Sequence, residues 1–337
     1  MAKENFETTI EGQDVVFITL TNQKNLRVGI SNYGARLVEL YYDNVNVIVN
    51  FPTLQDYFLP PQFYHGATIG RYANRIKNGE FKLAEMVYTL RVNNGANHLH
   101  GGPTGFHARV WEVREQTESS VTLHYLSVDG EEGYPGNVDV SVTFRATEDD
   151  ALAITYSATT DRATPFNITN HAYFNLNGGG TALHHNLLIN ADQYTPVDET
   201  LIPTGIEPVA GTAFDFRQGK ELGKDINKEE EQIRIGGGYD HNFVLNKGGE
   251  NELSLAARAV GDQTGIVMEA FTTEPGVQLF SGNFPEDVLP NSYRTSFCLE
   301  TQHFPDSPNH ANFPSTILNA GEKFTSTTFY KFSKNNQ

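Results

Sequence analysis

Residues 121–144 read VTLHYLSVDGEEGYPGNVDVSVTF. In the second half, Val138-Asp-Val-Ser-Val-Thr-Phe144, valine and phenylalanine alternate strictly with polar residues. A side-chain period of two is that of a strand with one buried face. Val121-Thr-Leu-His-Tyr125 reads as its partner, and the Gly/Pro-rich DGEEGYPGN between them as the connecting loop. The same grammar recurs outward in both directions: Val15–Leu20, then Arg27–Ile30 and Arg36–Leu40 around the turn-like Asn32-Tyr33-Gly34, then Leu152–Tyr156 and finally Ser326–Phe332. Helix signals are scarce. Thr53-Leu-Gln-Asp56 has a capping-box pattern, and a further turn or two fits within residues 219–233. Many short strands punctuated by 30 glycines and 15 prolines predict an all-β fold, a sandwich or barrel with few short helices. No Pro/Ser-rich linker and no repeat of ~40–50 residues is visible, so one β domain over residues 1–337 is expected rather than a propeller.

The net charge of −17 narrows the partners. Nucleic acid calls for a basic patch, whereas the longest like-charge run here is acidic, Glu229-Glu230-Glu231, and reads as solvated surface. Anionic lipid and highly phosphorylated substrates are disfavoured for the same reason. The single cysteine, Cys298, permits no intrachain disulfide. The first residues lack a basic segment followed by an apolar one, and no run reaches the ~18 apolar residues of a membrane span. A cytoplasmic protein with neither nucleic-acid nor membrane partners is the expectation.

Five stretches carry potential chemistry. Gly70-Arg-Tyr-Ala-Asn-Arg-Ile76 offers Arg71, Asn74 and Arg75 either to sugar hydroxyls or an anion, or to surface acids. Asn97-His-Leu-His-Gly-Gly102 places His98 and His100 on one strand face, but with Glu112 as the next acid a metal site is not expected. The paired glycines suggest a tight turn that leaves His100 at the lip of a cleft, with His98 structural. In Asn170-His-Ala-Tyr-Phe-Asn-Leu176, alternation sets His171, Tyr173 and Asn175 against Ala172, Phe174 and Leu176. Asp240 follows Gly236-Gly-Gly238 at a loop-to-strand junction, where it serves either a ligand or the turn itself. In Phe297-Cys-Leu-Glu-Thr-Gln-His303, Cys298, Glu300 and Gln302 share a face. A carboxylate in so apolar a strand is costly unless paired or functional, and burial raises its pKa toward that of a working base. A nucleophilic role for Cys298 is not expected. No phosphate-cradling or Gly-x-Ser-x-Gly fingerprint is present, so no nucleotide or other cofactor is implied.

Taken together, GRYANRI, NHLHGG, DGEEGYPGN, NITNHAYFNLNG, TAFDFR, YDHNFVL, PGVQLFSGNF and CLETQHFPDSPN occur in this order over about residues 65–310. In this respect the chain resembles the aldose 1-epimerase (galactose mutarotase) family. The resemblance implies a large antiparallel β-sandwich, the galactose mutarotase-like β-supersandwich, enclosing a sugar cleft. It implies an isomerase that interconverts the α and β anomers of a free aldohexose such as glucose or galactose, without metal or cofactor. Carried over motif by motif, Glu300 matches the general base and His171 the general acid. Asn74, Arg75, His100, Tyr173, Asp240 and Gln278 match substrate-binding positions. His98 and Arg71 receive no role from the match. The partner is then a small sugar, bound by a monomer or homodimer. The alternatives are a hexose-6-phosphate 1-epimerase, which needs added basic residues over the phosphate, and a non-catalytic carbohydrate-binding protein.

Overall fold

A computed structural model describes residues 3–285, 287–289 and 291–335. The opening hairpin forms as its alternation dictates. Ser120–Ser127 pairs antiparallel with Val138–Ala146, setting Leu123 opposite Val142 and Val121 opposite Phe144. Val138, Val140, Val142 and Phe144 are fully buried, while Asp139 is exposed and Ser141 and Thr143 half-buried. Each such apolar side chain contributes roughly 1.5–3 kcal/mol by leaving water. The loop between the strands closes on a short 3-10 turn at Glu131–Gly133.

This hairpin belongs to a nine-stranded antiparallel sheet. Its strand order is Glu112–Gln116, Ser120–Ser127, Val138–Ala146, Ala151–Thr160, Lys323–Lys334, Ile266–Thr272, Ser254–Val260, Asn186–Ile189 and Lys220–Glu221. The last long strand of the chain therefore lies at the centre of the sheet, between Ala151–Thr160 and Ile266–Thr272. A four-stranded sheet holds Phe17–Thr21, Leu26–Ser31, Arg36–Tyr42 and Val45–Asn46. A five-stranded sheet holds Glu207–Pro208, Ala191–Tyr194, Asp240–Leu245, Gly276–Phe280 and Cys298–Gln302. One apolar cluster draws on all three, with Leu123 and Val140 from the first, Leu20 and Val28 from the second, and Phe243 and Leu279 from the third. This is the all-β antiparallel sandwich that the alternation predicts.

The helical expectations were close. Thr53 and Asp56 form a reciprocal capping box, but it caps a 3-10 turn, Leu54–Phe58. The one α-helix among the described residues is Glu231–Gly236, at the end of the window expected and just beyond it. No helix among the described residues is long and apolar enough to cross a membrane.

Seven of the 11 histidines are buried with their imidazoles pushed below the ordinary value by loss of water: His65, His98, His100, His107, His171, His185 and His241. His98 and His185 fall to about 4, and His107, His171 and His241 to about 3. Below pH ~6.5 the unfolded chain takes up protons that these folded imidazoles refuse, so stability falls with pH by up to ~1.4 kcal/mol per unit for each. His303 has the opposite sign, because Glu274 at 2.6 Å raises it. The melting temperature is therefore expected to drop by ~10 °C or more between pH 7 and 5.5. A flat scanning-fluorimetry profile over that range would show that the buried imidazoles take up protons without unfolding.

Candidate active site

Three neighbouring strands of the five-stranded sheet set out the polar groups. Asp240 pairs with Phe280 and Phe280 with Cys298; Asn242 pairs with Gln278 and Gln278 with Glu300. Partners across an antiparallel ladder point to the same side. Asp240, Asn242, Gln278, Glu300 and Gln302 thus share one face, and the alternate residues Phe243, Leu279 and Leu299 seal the core on the other. The expectation for Cys298, Glu300 and Gln302 holds. Cys298 is a fully buried free thiol, raised by burial and by Glu300, which removes it as a nucleophile.

His171 reaches this face from a separate segment. Only Thr169–Asn170 is a regular strand there, paired with Thr68–Ile69, and Phe174 adds isolated bridges to Ile48 and Phe297. The two-faced reading of the segment is met even so. Phe174 packs against Phe297 and Tyr330 in the core, while His171 and Tyr173 turn the other way. The His171 backbone is fixed on both sides: its N–H donates to Ala67 O at 2.9 Å and its carbonyl accepts from Gly66 N–H at 2.8 Å. Its ring lies in a stack of parallel rings, 6.1 Å from Tyr64 and 4.9 Å from Tyr173, with His65 a further 3.7 Å beyond Tyr173. Such stacking fixes the plane of the imidazole. That orientation brings Nε2 to 3.6 Å from Glu300 Oε1.

The asparagines of this stretch hold backbone. Asn170 donates to Gly66 O at 2.7 Å, and Asn175 to Gly180 O and Thr295 O. Asn167 joins three chain segments: its amide donates to Ala73 O and His303 O, and its Oδ1 accepts from His303 N–H. Those segments lead directly to Asn74, His171 and Glu300.

The two arginines of GRYANRI part company. Arg71 is buried and donates to Ser127, Val128, Pro135 and Gly136, anchoring the DGEEGYPGN loop. Arg75 has Nη2 3.8 Å from Asp240 Oδ2 and Nε on Asn94 Oδ1 at 3.0 Å. The surface-loop alternative fails, since residues 67–76 are all buried. Asp240 does not cap its own turn; its Oδ1 accepts from Gln278 Nε2 at 2.7 Å. His98 is structural as expected, bonded through Nδ1 to Arg91 O and through Nε2 to Tyr134 Oη.

His100 and Asn74 are locked together. His100 N–H donates to Asn74 O at 3.0 Å, and Asn74 N–H donates to His100 Nδ1 at 3.1 Å. Gly101, at φ 81°, makes the turn possible, because a side chain there would strike the Gly70 carbonyl. An Nδ1 that accepts a hydrogen bond places the ring proton on Nε2, which makes His100 a donor on its other edge. His100, His171 and Glu300 do bring potential ligand atoms within 4.8 Å of one another. A metal on His100 Nε2 would require a proton on Nδ1, facing the Asn74 N–H, so this tautomer disfavours a metal centre.

These groups converge on a cleft of about 200 Å³. Asn74, Arg75, His100, His171, Tyr173, Asp240 and Glu300 line it. So do Pro61, Tyr64, Leu99, Phe280 and Phe284, which the motif reading did not single out. Gln278 stands behind Asp240 and is 2% exposed. A larger hollow of about 590 Å³ beside His303 contains none of the residues singled out from sequence. The cleft is small beside the ~300–1,000 Å³ of drug-sized sites, which suits a monosaccharide.

Burial dominates the electrostatics. Glu300 is raised well above the carboxylate range by loss of water and by Asp240, with Arg75 opposing. His171 is lowered to about 3 by loss of water. Both shifts favour uncharged groups, so the pair holds one proton over a wide pH range, resting on Glu300. The order expected for ordinary groups is reversed: the second proton, at acid pH, belongs to His171, and the proton lost at alkaline pH belongs to Glu300. The two macroscopic steps are properties of the pair.

A family model described as Aldose 1-epimerase matches residues 16–331. Human galactose mutarotase is 42% identical over 322 residues, covering 91% of each chain. Aldose 1-epimerase of Escherichia coli (strain K12) is 36% identical over 340 residues, covering 96% of each. The crystal structure of galactose 1-epimerase from Lactobacillus acidophilus NCFM superposes with a TM-score of 0.87 at 32% identity, covering 98% of this chain and 97% of that one.

The proton placement has a direct readout. In ¹⁵N-histidine NMR of the free protein, His171 is expected to remain neutral at pH 5, and a titration step near ~6.5 would show an ordinary solvated imidazole instead.

Proposed function

The chain belongs to the aldose 1-epimerase family and is a carbohydrate isomerase; we propose that it interconverts the α and β anomers of free aldohexoses such as glucose and galactose, using Glu300 as base and His171 as acid. The observation that carries this reading is the Glu300–His171 pair, 3.6 Å apart at the floor of a cleft that Arg75, Asp240 and His100 also line. Arg75 donates to sugar hydroxyls and Asp240 accepts from them. Tyr173 lines the wall and keeps the His171 ring in place, and Gln278 steadies Asp240.

Ring opening takes the proton from the anomeric O1–H to Glu300 while His171 gives one to the ring oxygen O5. The C1–O5 bond breaks with its electron pair on O5, and a C1 aldehyde forms. The aldehyde turns about C1–C2, and reclosure runs both transfers backward onto the other face. The reactive arrangement has the shared proton on His171; the open-chain stage has it on Glu300, the placement that burial favours. The open-chain stage thus matches the resting proton placement, and the cost of opening lies in first moving the shared proton from Glu300 to His171.

The hexose-6-phosphate alternative loses its candidate cation, because every guanidinium nitrogen of Arg71 is engaged in the protein interior. A non-catalytic sugar binder would have no use for a buried pair that shares a proton. We further place the protein in the cytoplasm, as a monomer or homodimer, in keeping with its buried free thiol and acidic surface.

Polarimetry of freshly dissolved α-glucose or α-galactose is the test. The protein is expected to speed the drift to equilibrium, and Glu300→Gln and His171→Asn each to reduce turnover by ~10²–10⁴ while leaving the fold intact. No acceleration with any common aldose would refute the epimerase reading. A variant with parental turnover would refute the role of its residue.

A further inference from the structure

Behind the cleft, the same sheet face contains a pit. Gly276 lies opposite Gln302 on one neighbouring strand and Val244 on the other. Gln278, Glu300 and Asn242 stand around it at the next positions on the three strands. A side chain at Gly276 would overlap Asn242 Oδ1 and press on Phe304, so the glycine is what makes room for the Asn242 amide. Six buried polar atoms of these side chains have no hydrogen-bond partner among the described residues: Oδ1 and Nδ2 of Asn242, Oε1 and Nε2 of Gln302, Oε1 of Gln278 and Oε2 of Glu300. Asn242 is 1% exposed and Gln302 fully buried, and neither lines the cleft. Buried amides without partners are rare, and a group of them around one carboxylate oxygen calls for a reason.

We propose that Asn242 and Gln302 are positioning residues for Glu300: on the sheet face they share with it, their unpartnered side-chain amides supply the hydrogen bonds that Glu300 Oε2 needs as a carboxylate. Rotation of either amide about its last bond exchanges its carbonyl for its N–H group, and neither amide has a partner that such a rotation would break. The need is chemical. Burial alone leaves the pair's proton on Glu300, yet ring opening starts with it on His171. Donors at Oε2 favour the ionised carboxylate and bias the proton toward His171. The other groups around Glu300 are His171, His100, Asp240, Arg75, Cys298, Tyr173 and Tyr330. Of these, only Arg75 is a permanent cation, and it is shared with Asp240. The inference rests on the epimerase reading above.

Gln302→Met and Asn242→Leu keep shape and remove the donors, so their melting temperatures should match or exceed the parent's. Polarimetric kcat is expected to fall on the order of 10-fold, less than loss of the base itself, with KM within about 2-fold of the parent. The alkaline limb of the kcat profile should move to higher pH, because losing donors to the charged form makes Glu300 hold its proton longer. Gly276→Ala displaces the Asn242 amide without removing it, and should reproduce the fall and the shift. A crystal structure should show a side-chain N–H of Asn242 or Gln302 aimed at Glu300 Oε2. Parental kcat and an unmoved limb in these variants, with the parent active, would refute the positioning role alone. A parent without turnover would refute the epimerase reading on which it rests.

Discussion

The site depends on one constraint, the two-residue period of three adjacent strands in register. Because Asp240–Leu245, Gly276–Phe280 and Cys298–Gln302 pair without a slip, Asp240, Asn242, Gln278, Glu300 and Gln302 fall on one face, and Phe243, Leu279 and Leu299 on the other. A shift of one residue would bury Leu299 in the cleft and aim Glu300 at the core. Register here is held from both sides. Phe243, Leu279 and Leu299 must reach the apolar cluster, and the Tyr330 hydroxyl donates to Leu299 O from the opposing sheet. Folding energy and functional geometry are thus set by the same alternation.

The segments that meet this face are tied to one another rather than to the sheet alone. Asn74 and His100 exchange hydrogen bonds, Asn167 joins the chain before His171 to the chain after Glu300, and Asp306 donates its N–H to Arg75 O while accepting from Lys77 N–H. These bonds explain why motifs scattered over some 240 residues form one site. They also assign functions to buried polar residues that touch no ligand. Each satisfies backbone groups that irregular, buried segments would otherwise leave unpaired.

Legibility in the sequence followed physical type. The strands were readable because a half-buried strand shows its period directly, as in Val138–Phe144 and Cys298–Gln302. Glu300 stood out as a carboxylate in an apolar strand and His171 as an imidazole on a polar stripe opposite an apolar one, and the resemblance to a known family gave them roles. The His171 segment read as strand although it is mostly irregular, since alternation survives wherever extended backbone is held by single bridges. By spacing alone Arg71 and Arg75 looked equivalent; the resemblance gave a role to Arg75 only, and the fold shows Arg71 to be an interior anchor. Tyr64, Phe280 and Phe284 were missed because aromatic residues in loops and strands have no local mark of facing a cleft. The reversed proton order was not legible, because it comes from burial, which no short motif reports.

The pairing of Glu300 with His171 has a consequence for exchange with solvent. With the roles proposed for the pair, over a full cycle O1 lends a proton to Glu300 and recovers it, while O5 borrows one from His171 and returns it. No proton is gained from or lost to bulk water, and neither group need regain its starting state between turnovers. Anomerisation in free solution draws on dissolved acids and bases and quickens with their concentration. With the donor and acceptor built into this cleft and shielded, the proposed mechanism makes the enzymatic rate insensitive to buffer concentration. The protein works as a sealed proton exchanger that treats both anomers alike, shortening the time to equilibrium without moving it.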